Sequence, residues 1–288
     1  MSIVVTGATG KLGRLVIDAL LATEPAGTVA AVVRDGAKAA DLAERGVELR
    51  IADYSRPETL AGAFTAGDRV LLISGSEVGQ RVAQHTAVIS AAKAAGVAQL
   101  AYTGVLGGPD ADFRLADEHK ATEQAVLDSG LPYTFLRNGW YTENYTENLA
   151  PVLAHGAVVA NAGEGRVASA TRADYAAAAA AVLTGPLAEH TGRAYELSGD
   201  VSWSFAEYAA EVARLSGQAI VHSDVPAATH LEILLGAGVP QPFAEILVDV
   251  DEAVARGVLA ARGDDLARLI GRPTTPIAET IKAALAAS

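Results

Sequence analysis

The sequence predicts an α/β fold, a doubly wound parallel sheet followed by a smaller, mainly helical C-terminal domain. Three observations lead there. Short β-branched runs alternate with Ala-rich helical stretches from Ser2 to Arg137. Those runs are apolar throughout, as strands are when both faces of a parallel sheet are covered. A turn with three glycines, GATGKLG, divides the first run from the first helical stretch, the place where doubly wound folds bind nucleotides.

Taken in order, Ser2–Thr6 reads as a strand and Leu12–Ala22 as a helix. Thr28–Val33 is the second strand, followed by a helix over Lys38–Arg45. Val47–Ala52 is the third strand, and a helix is expected from Pro57, since proline suits a first helical turn. Arg69–Ile73 is the fourth strand, with a long helix over Gln80–Ala95 closed by Gly96. Ala98–Tyr102 is the fifth strand, Leu115–Ser129 a helix closed by Gly130, and Tyr133–Arg137 the sixth strand. Right-handed crossovers join such units into a doubly wound sheet. Beyond Asn138 the pattern loosens, and Tyr141–Gly165 has no sustained period. Thr171–Leu183 reads as a helix capped near Thr171, Arg193–Ser198 as a strand, and Ser204–Ser216 as a helix. Residues 1–150 are thus expected to form a nucleotide-binding domain, with 166–199 adding a helix and a strand. Residues 200–288, with prolines between short helices, are expected to form the small domain.

Composition narrows the function. Of 288 residues, half are hydrophobic and 19% charged, enough apolar material for a sizeable core. The formal charge is −12 and the 22 basic residues are scattered, so a nucleic-acid partner is not expected. There is no cysteine, which excludes disulfides, Cys-ligated metals and a Cys nucleophile. No apolar run reaches the ~18 residues of a membrane span, and the first residues lack the features of a secretory signal. A soluble cytoplasmic protein is expected.

The glycine turn carries the first functional expectation. Gly7 permits a sharp exit from the strand, Gly10 a close approach to pyrophosphate, and Gly13 close packing of helix on sheet. The helix start at Thr9, Lys11 and Leu12 aims free N–H groups at the phosphates. At the end of the second strand stands Arg34, where NAD-specific proteins place a carboxylate. A guanidinium matches a 2′-phosphate, so NADP(H) is expected as the cofactor, with NADPH preferred over NADH. Asp35 either faces away or caps the next helix. Asp53 ends the third strand and is expected to contact adenine, to order its loop, or to cap the helix at Pro57. Ser74, Gly75 and Ser76 follow the fourth strand, where small residues let the backbone pass close to the ribose and diphosphate.

No catalytic acid declares itself. The helix after the fifth strand carries Leu115 and Ala116 where a Tyr-x-x-x-Lys pair would need tyrosine. Histidines 85, 119, 155, 190, 222 and 230 show no metal-ligand spacing, so no metal is expected. His119 could donate a proton or touch the nicotinamide end, or pack on the sheet.

The segments GATGKLG, VVRD, LLISGSEVGQR, KAAGV, LADEHKATE, YTFLRNGWYTENY, SATRADYAAAAA and GRPTTP resemble the NAD(P)H:quinone oxidoreductase type 2 group. That group lies within the NmrA-like atypical short-chain dehydrogenases. The resemblance runs nearly the whole chain. It implies a Rossmann domain and a small substrate-capping domain, NADPH as donor, and a small-molecule quinone in the cleft between them. The family lacks the Tyr-x-x-x-Lys pair, as this chain does. It also implies that the exit of the sixth strand, Asn138, Gly139, Trp140, Tyr141, Thr142 and Glu143, contributes to the cofactor site. Trp140, Tyr141 and Tyr145 are expected to stack on a substrate ring, or else to pack the two domains together. Hydride transfer to a quinone, already an electrophile, asks for alignment more than for an acid. The other reading is an NADP(H)-sensing regulator without turnover. The oligomeric state is left open, a homo-oligomer included.

Overall fold

In this computed structural model residues 1–147 and 149–287 are described; Asn148 and Ser288, which fall within the expected ranges 1–150 and 200–288, lie outside the described residues. The first half alternates as expected: β1 (Ile3–Thr6), α1 (Lys11–Leu21), β2 (Val29–Val33), α2 (Ala40–Glu44), β3 (Glu48–Ile51), β4 (Arg69–Leu72), α3 (Arg81–Ala95), β5 (Gln99–Val105), α4 (Arg114–Ser129) and β6 (Tyr133–Asn138). The second half contributes α5 (Glu143–Thr146), α6 (Leu149–His155), β7 (Ala157–Ala160), β8 (Arg166–Val167), α7 (Arg172–Thr184), α8 (Leu187–His190) and β9 (Arg193–Leu197). It closes with β10 (Trp203–Ser204), α9 (Phe205–Ser216), β11 (Val221–Asp224), α10 (Ala227–Gly236), α11 (Gln241–Ala255), α12 (Asp265–Ile270) and α13 (Ile277–Ala287).

Seven strands make one parallel sheet in the order β3-β2-β1-β4-β5-β6-β9. Strand order reverses between β1 and β4, which opens a crevice at their carboxyl ends. Neighbouring residues of β1 serve opposite faces. Val5 packs with Val16, Ile17 and Leu20 of α1 and with Tyr175 and Leu183 of α7. Val4 packs with Val88 and Ile89 of α3 and with Leu60 and Phe64. Burying each such side chain contributes roughly 1.5–3 kcal/mol, which explains why these strands read as unbroken apolar runs. Thr171 caps α7 through a capping box with Asp174, as its sequence suggested.

Several expectations change. The helix expected from Pro57 is a single 3-10 turn, Pro57–Leu60, because Gly62 and Gly67, both at positive φ, turn the chain back toward β4. The helix over Lys38–Arg45 starts as a 3-10 turn, Gly36–Ala39, and is α-helical only over Ala40–Glu44. The stretch 141–165, read as irregular, holds α5, α6 and β7. β7 pairs in parallel with β11, Ala157 opposite Val221. A further apolar cluster joins Leu149, Val158, Val167, Trp203, Phe205 and Val254 with Phe113 and Ala116 of the α4 region. Residues before and after β9 therefore share one core.

Candidate active site

A cleft of ≈ 970 Å³ runs along the carboxyl ends of β1, β2, β4, β5 and β6. Its centre is the glycine turn. Gly7 has φ +59, which L side chains rarely adopt. A Cβ on Gly13 would stand 2.3 Å from the Gly7 carbonyl oxygen and 2.7 Å from Ala8 Cα, so only glycine lets α1 lie this close to β1. Gly10 begins α1 without a side-chain cap. The N–H groups and positive end of the helix dipole are thus left for an anion. Gly7, Thr9, Gly10, Lys11, Leu12 and Gly13 all line the cleft. The Lys11 ammonium pairs with Glu147 at 2.6 Å, and Glu147 also accepts from Arg172 at 2.8 Å.

At one end stand Arg34 and Asp53. The Arg34 side chain is 70% exposed and lies 3.4 Å from Glu77. Asp35 accepts from the Ala37 N–H and so caps the turn that follows β2. Asp53 accepts from the Ser55 N–H and lies 3.6 Å from Arg56, ordering its own loop while lining the cleft.

The floor is Ser74, Gly75 and Ser76. It is pinned from below, the Ser74 N–H donating to Thr103 Oγ1 and the Gly75 N–H to His85 Nε2. Arg81 Nε donates to the Gly75 carbonyl at 2.6 Å. His85 accepts at Nε2, so Nδ1 carries the proton and donates to Thr122 Oγ1, whose hydroxyl donates to the Glu118 carbonyl. Burial, reinforced by Arg81, lowers the His85 pKa to about 4.

At the other end Asn138, Gly139, Trp140 and Tyr141 line the cleft. The Gly139 N–H donates to the Leu197 carbonyl at 2.7 Å, and a Cβ there would meet the Tyr175 hydroxyl at 2.9 Å. Arg172 lies over the Tyr141 ring at 5.2 Å. Three residues expected here do not reach the cleft. Thr142 is buried, its hydroxyl paired with Ser169 Oγ at 2.8 Å. Glu143 turns back to accept from the Arg172 N–H at 2.9 Å. Tyr145, expected either against a substrate ring or packing the two domains together, packs edge-on to Trp203 at 4.8 Å and to Phe205 at 5.7 Å. The first turn of α5 carries it into the apolar cluster that contains Trp203 and Phe205.

The wall opposite, Phe113, Leu115 and His119, comes from the start of α4. The i, i+4 spacing of Leu115 and His119 was the available signal for that face. His119 Nδ1 lies 2.8 Å from the Tyr102 hydroxyl. Burial, with Arg81 and His85 adding to it, lowers the His119 pKa to about 3, and burial raises that of Tyr102. Among the described residues no three His, Cys, Asp or Glu side chains stand together as metal ligands, and no helix is long and apolar enough to cross a membrane.

Comparison with known proteins gives the same picture of kinship. Residues 7–186 match the NAD(P)H-binding family model. The chain is 46% identical over 279 residues to Quinone oxidoreductase 2 of Escherichia coli K12, covering 97% of each. It is 30% identical over 286 residues to an NAD(P)H azoreductase of Xenophilus azovorans, covering 99% of this chain and 98% of that one. The crystal structure of an NADPH-dependent quinone oxidoreductase from Escherichia coli, complexed with NADPH, superposes with a TM-score of 0.95 at 45% identity, over 98% and 99% of the two chains. A Citrobacter triphenylmethane reductase complexed with NADP(H) superposes with a TM-score of 0.94 at 43% identity, over 98% and 100%.

Proposed function

This chain belongs to the NAD(P)H:quinone oxidoreductase type 2 family of NmrA-like proteins, and on that premise we propose that it passes hydride from NADPH to a quinone held in the cleft. The observation that carries the reading is the continuity of that cleft. A phosphate-binding helix start, a cation at the end of β2 and an aromatic wall at the exit of β6 line one cavity. NADPH supplies the hydride when bound.

The residues present fit that donor. The uncapped start of α1 suits the diphosphate, and Gly10 has only the Gly7 carbonyl, 3.2 Å away, where a Cβ would be. Arg34 takes the 2′-phosphate, which its fork matches. Ser74–Ser76 support the backbone of the dinucleotide from a loop that His85 and Arg81 hold still. Trp140, Tyr141, Phe113 and Leu115 form the slot in which a planar acceptor aligns with the nicotinamide. Relatives are named for quinone, azo and triphenylmethane substrates, all conjugated electrophiles, and an aromatic slot of this kind suits the class.

The test is oxidation of NADPH by the purified protein with 1,4-benzoquinone, followed at 340 nm. Turnover with NADPH and little with NADH is expected. NADPH binding without turnover on any simple quinone would favour the sensing role instead.

A further inference from the structure

We infer that His119 is a catalytic hydrogen-bond donor, its Nε2–H meeting the acceptor oxygen on which negative charge develops as hydride arrives. The inference rests on the quinone reading above. It gives a defined role to His119, which the sequence left between proton donor, nicotinamide contact and packing residue.

Four observations carry it. His119 lines the cleft together with Phe113 and Leu115, in the same cavity as Trp140 and Tyr141 at the exit of β6. Its Nδ1 is engaged, 2.8 Å from the hydroxyl of Tyr102, a side chain with no exposed surface on a central strand. Tyr102 is itself held in place, with the His85 ring edge-on to it at 5.5 Å. A tyrosine that donates to Nδ1 leaves the imidazole proton on Nε2, the nitrogen on the opposite edge of the ring. Finally, the imidazole stays neutral, because burial and the nearby Arg81 both oppose a second proton.

A neutral imidazole with its tautomer set by a buried partner is an electrophile rather than an acid. It donates to an oxygen as charge builds and keeps its own proton. The reduction then balances without it. Hydride brings two electrons and one proton to the quinone and leaves the hydroquinone monoanion with its charge on a phenolate oxygen; water entering the cleft supplies the second proton and leaves as hydroxide. Preorganised donors of this kind act where the dielectric is low and need no rearrangement as the charge appears. The charged and titratable groups that act on the ring are Arg81 and His85 from α3 and, against Nδ1, Tyr102 from β5.

The test pairs kinetics with a spectrum. His119→Ala is expected to lower kcat with quinone by about a hundredfold, the usual loss for one such donor, with the NADPH Kd unchanged by fluorescence titration. His119→Gln, whose amide N–H reaches toward the position of Nε2, is expected to recover most of the rate. Tyr102→Phe, which keeps the imidazole but frees its tautomer, should fall between. Independently of turnover, isotope-edited infrared difference spectra of carbonyl-labelled 1,4-naphthoquinone on the NADP+ complex should show one carbonyl stretch at lowered wavenumber. That shift should vanish in His119→Ala and return in His119→Gln. A lowered stretch that survives His119→Ala, or a parent-like kcat in that variant, overturns the assignment while leaving the quinone reading intact. Failure of the parent to bind or reduce quinones at all overturns both.

Discussion

Arg34 has a carboxylate partner in the protein itself. Glu77, 43 residues further on, holds its guanidinium at 3.4 Å across the mouth of the cleft. On the proposed reading a 2′-phosphate displaces this carboxylate, and the exposure of the pair keeps that exchange inexpensive. Arg34→Ala is expected to weaken NADPH binding by about 1–3 kcal/mol, the scale of a charge-assisted contact, and to leave NADH almost unchanged. Isothermal titration with both dinucleotides decides it, and equal losses would remove the 2′-phosphate from the account. Glu77→Gln should act in the other direction and tighten NADPH by up to ~1 kcal/mol. Arg34 was legible because it follows directly on an apolar strand. Glu77 was not, since nothing local announces which distant loop will face a strand end. Trp140 and Tyr145 show the same limit more sharply. Both are aromatics just beyond β6, yet one lines the cleft and the other is turned away by α5. A four-residue helix has too few residues to declare its faces by period.

At the level of elements, the β1–α1 junction was the most legible part of the chain and is the least tolerant. Its three glycines do separate work, and Gly13 has the tightest surroundings of the three. Gly13→Ala is expected to cost about 1–3 kcal/mol by overpacking. It should also abolish NADPH binding, because the added methyl pushes the start of α1 off the strand exit. Thermal unfolding together with dinucleotide titration separates the two effects; a variant that unfolds earlier but still binds with parental affinity would contradict this view of the turn. β1, β2, β4 and β5 could be read from apolar runs, since both faces are buried, whereas β3 is exposed or half-buried along its length. β7 and β11 could be read far less well. β11 is VHSD, half exposed, and pairs with a strand more than sixty residues away. Its pairing belongs to tertiary structure, which overrides local preference.

Across the whole molecule, two histidines with lowered pKa serve the cleft, His85 beneath its floor and His119 in its wall. In the unfolded chain a histidine titrates near 6.5, whereas His85 and His119 hold their folded values near 4 and 3. The unfolded state thus takes up protons between those limits while the folded state does not. Stability is therefore level above about pH 6.5 and falls as pH drops toward 4, by an amount on the order of a few kcal/mol. Depressed carboxylates such as Asp68, paired with Arg50, add a further loss at lower pH. Melting temperatures measured from pH 8 to pH 4 should show this descent. His85→Asn should start lower and descend less steeply; a parallel curve would mean that His85 is not the group responsible. The broad architecture was legible, but the excursion through α6, β7 and β8 was not. After β6 the chain leaves the sheet, builds α6, β7 and β8, and returns with α7 to add β9 at the edge. That itinerary has a consequence during synthesis. While the ribosome is still adding residues beyond 167, Val158 and Val167 have already emerged without Trp203, Phe205 and Val254, which will cover them. The edge of β6 likewise waits for residues 193–197. Neither half of the nascent chain can be finished before the other is well under way. The cluster of Val158 and Val167 stays open until residues near 254 are available, and the interval before then is when a chaperone would matter most.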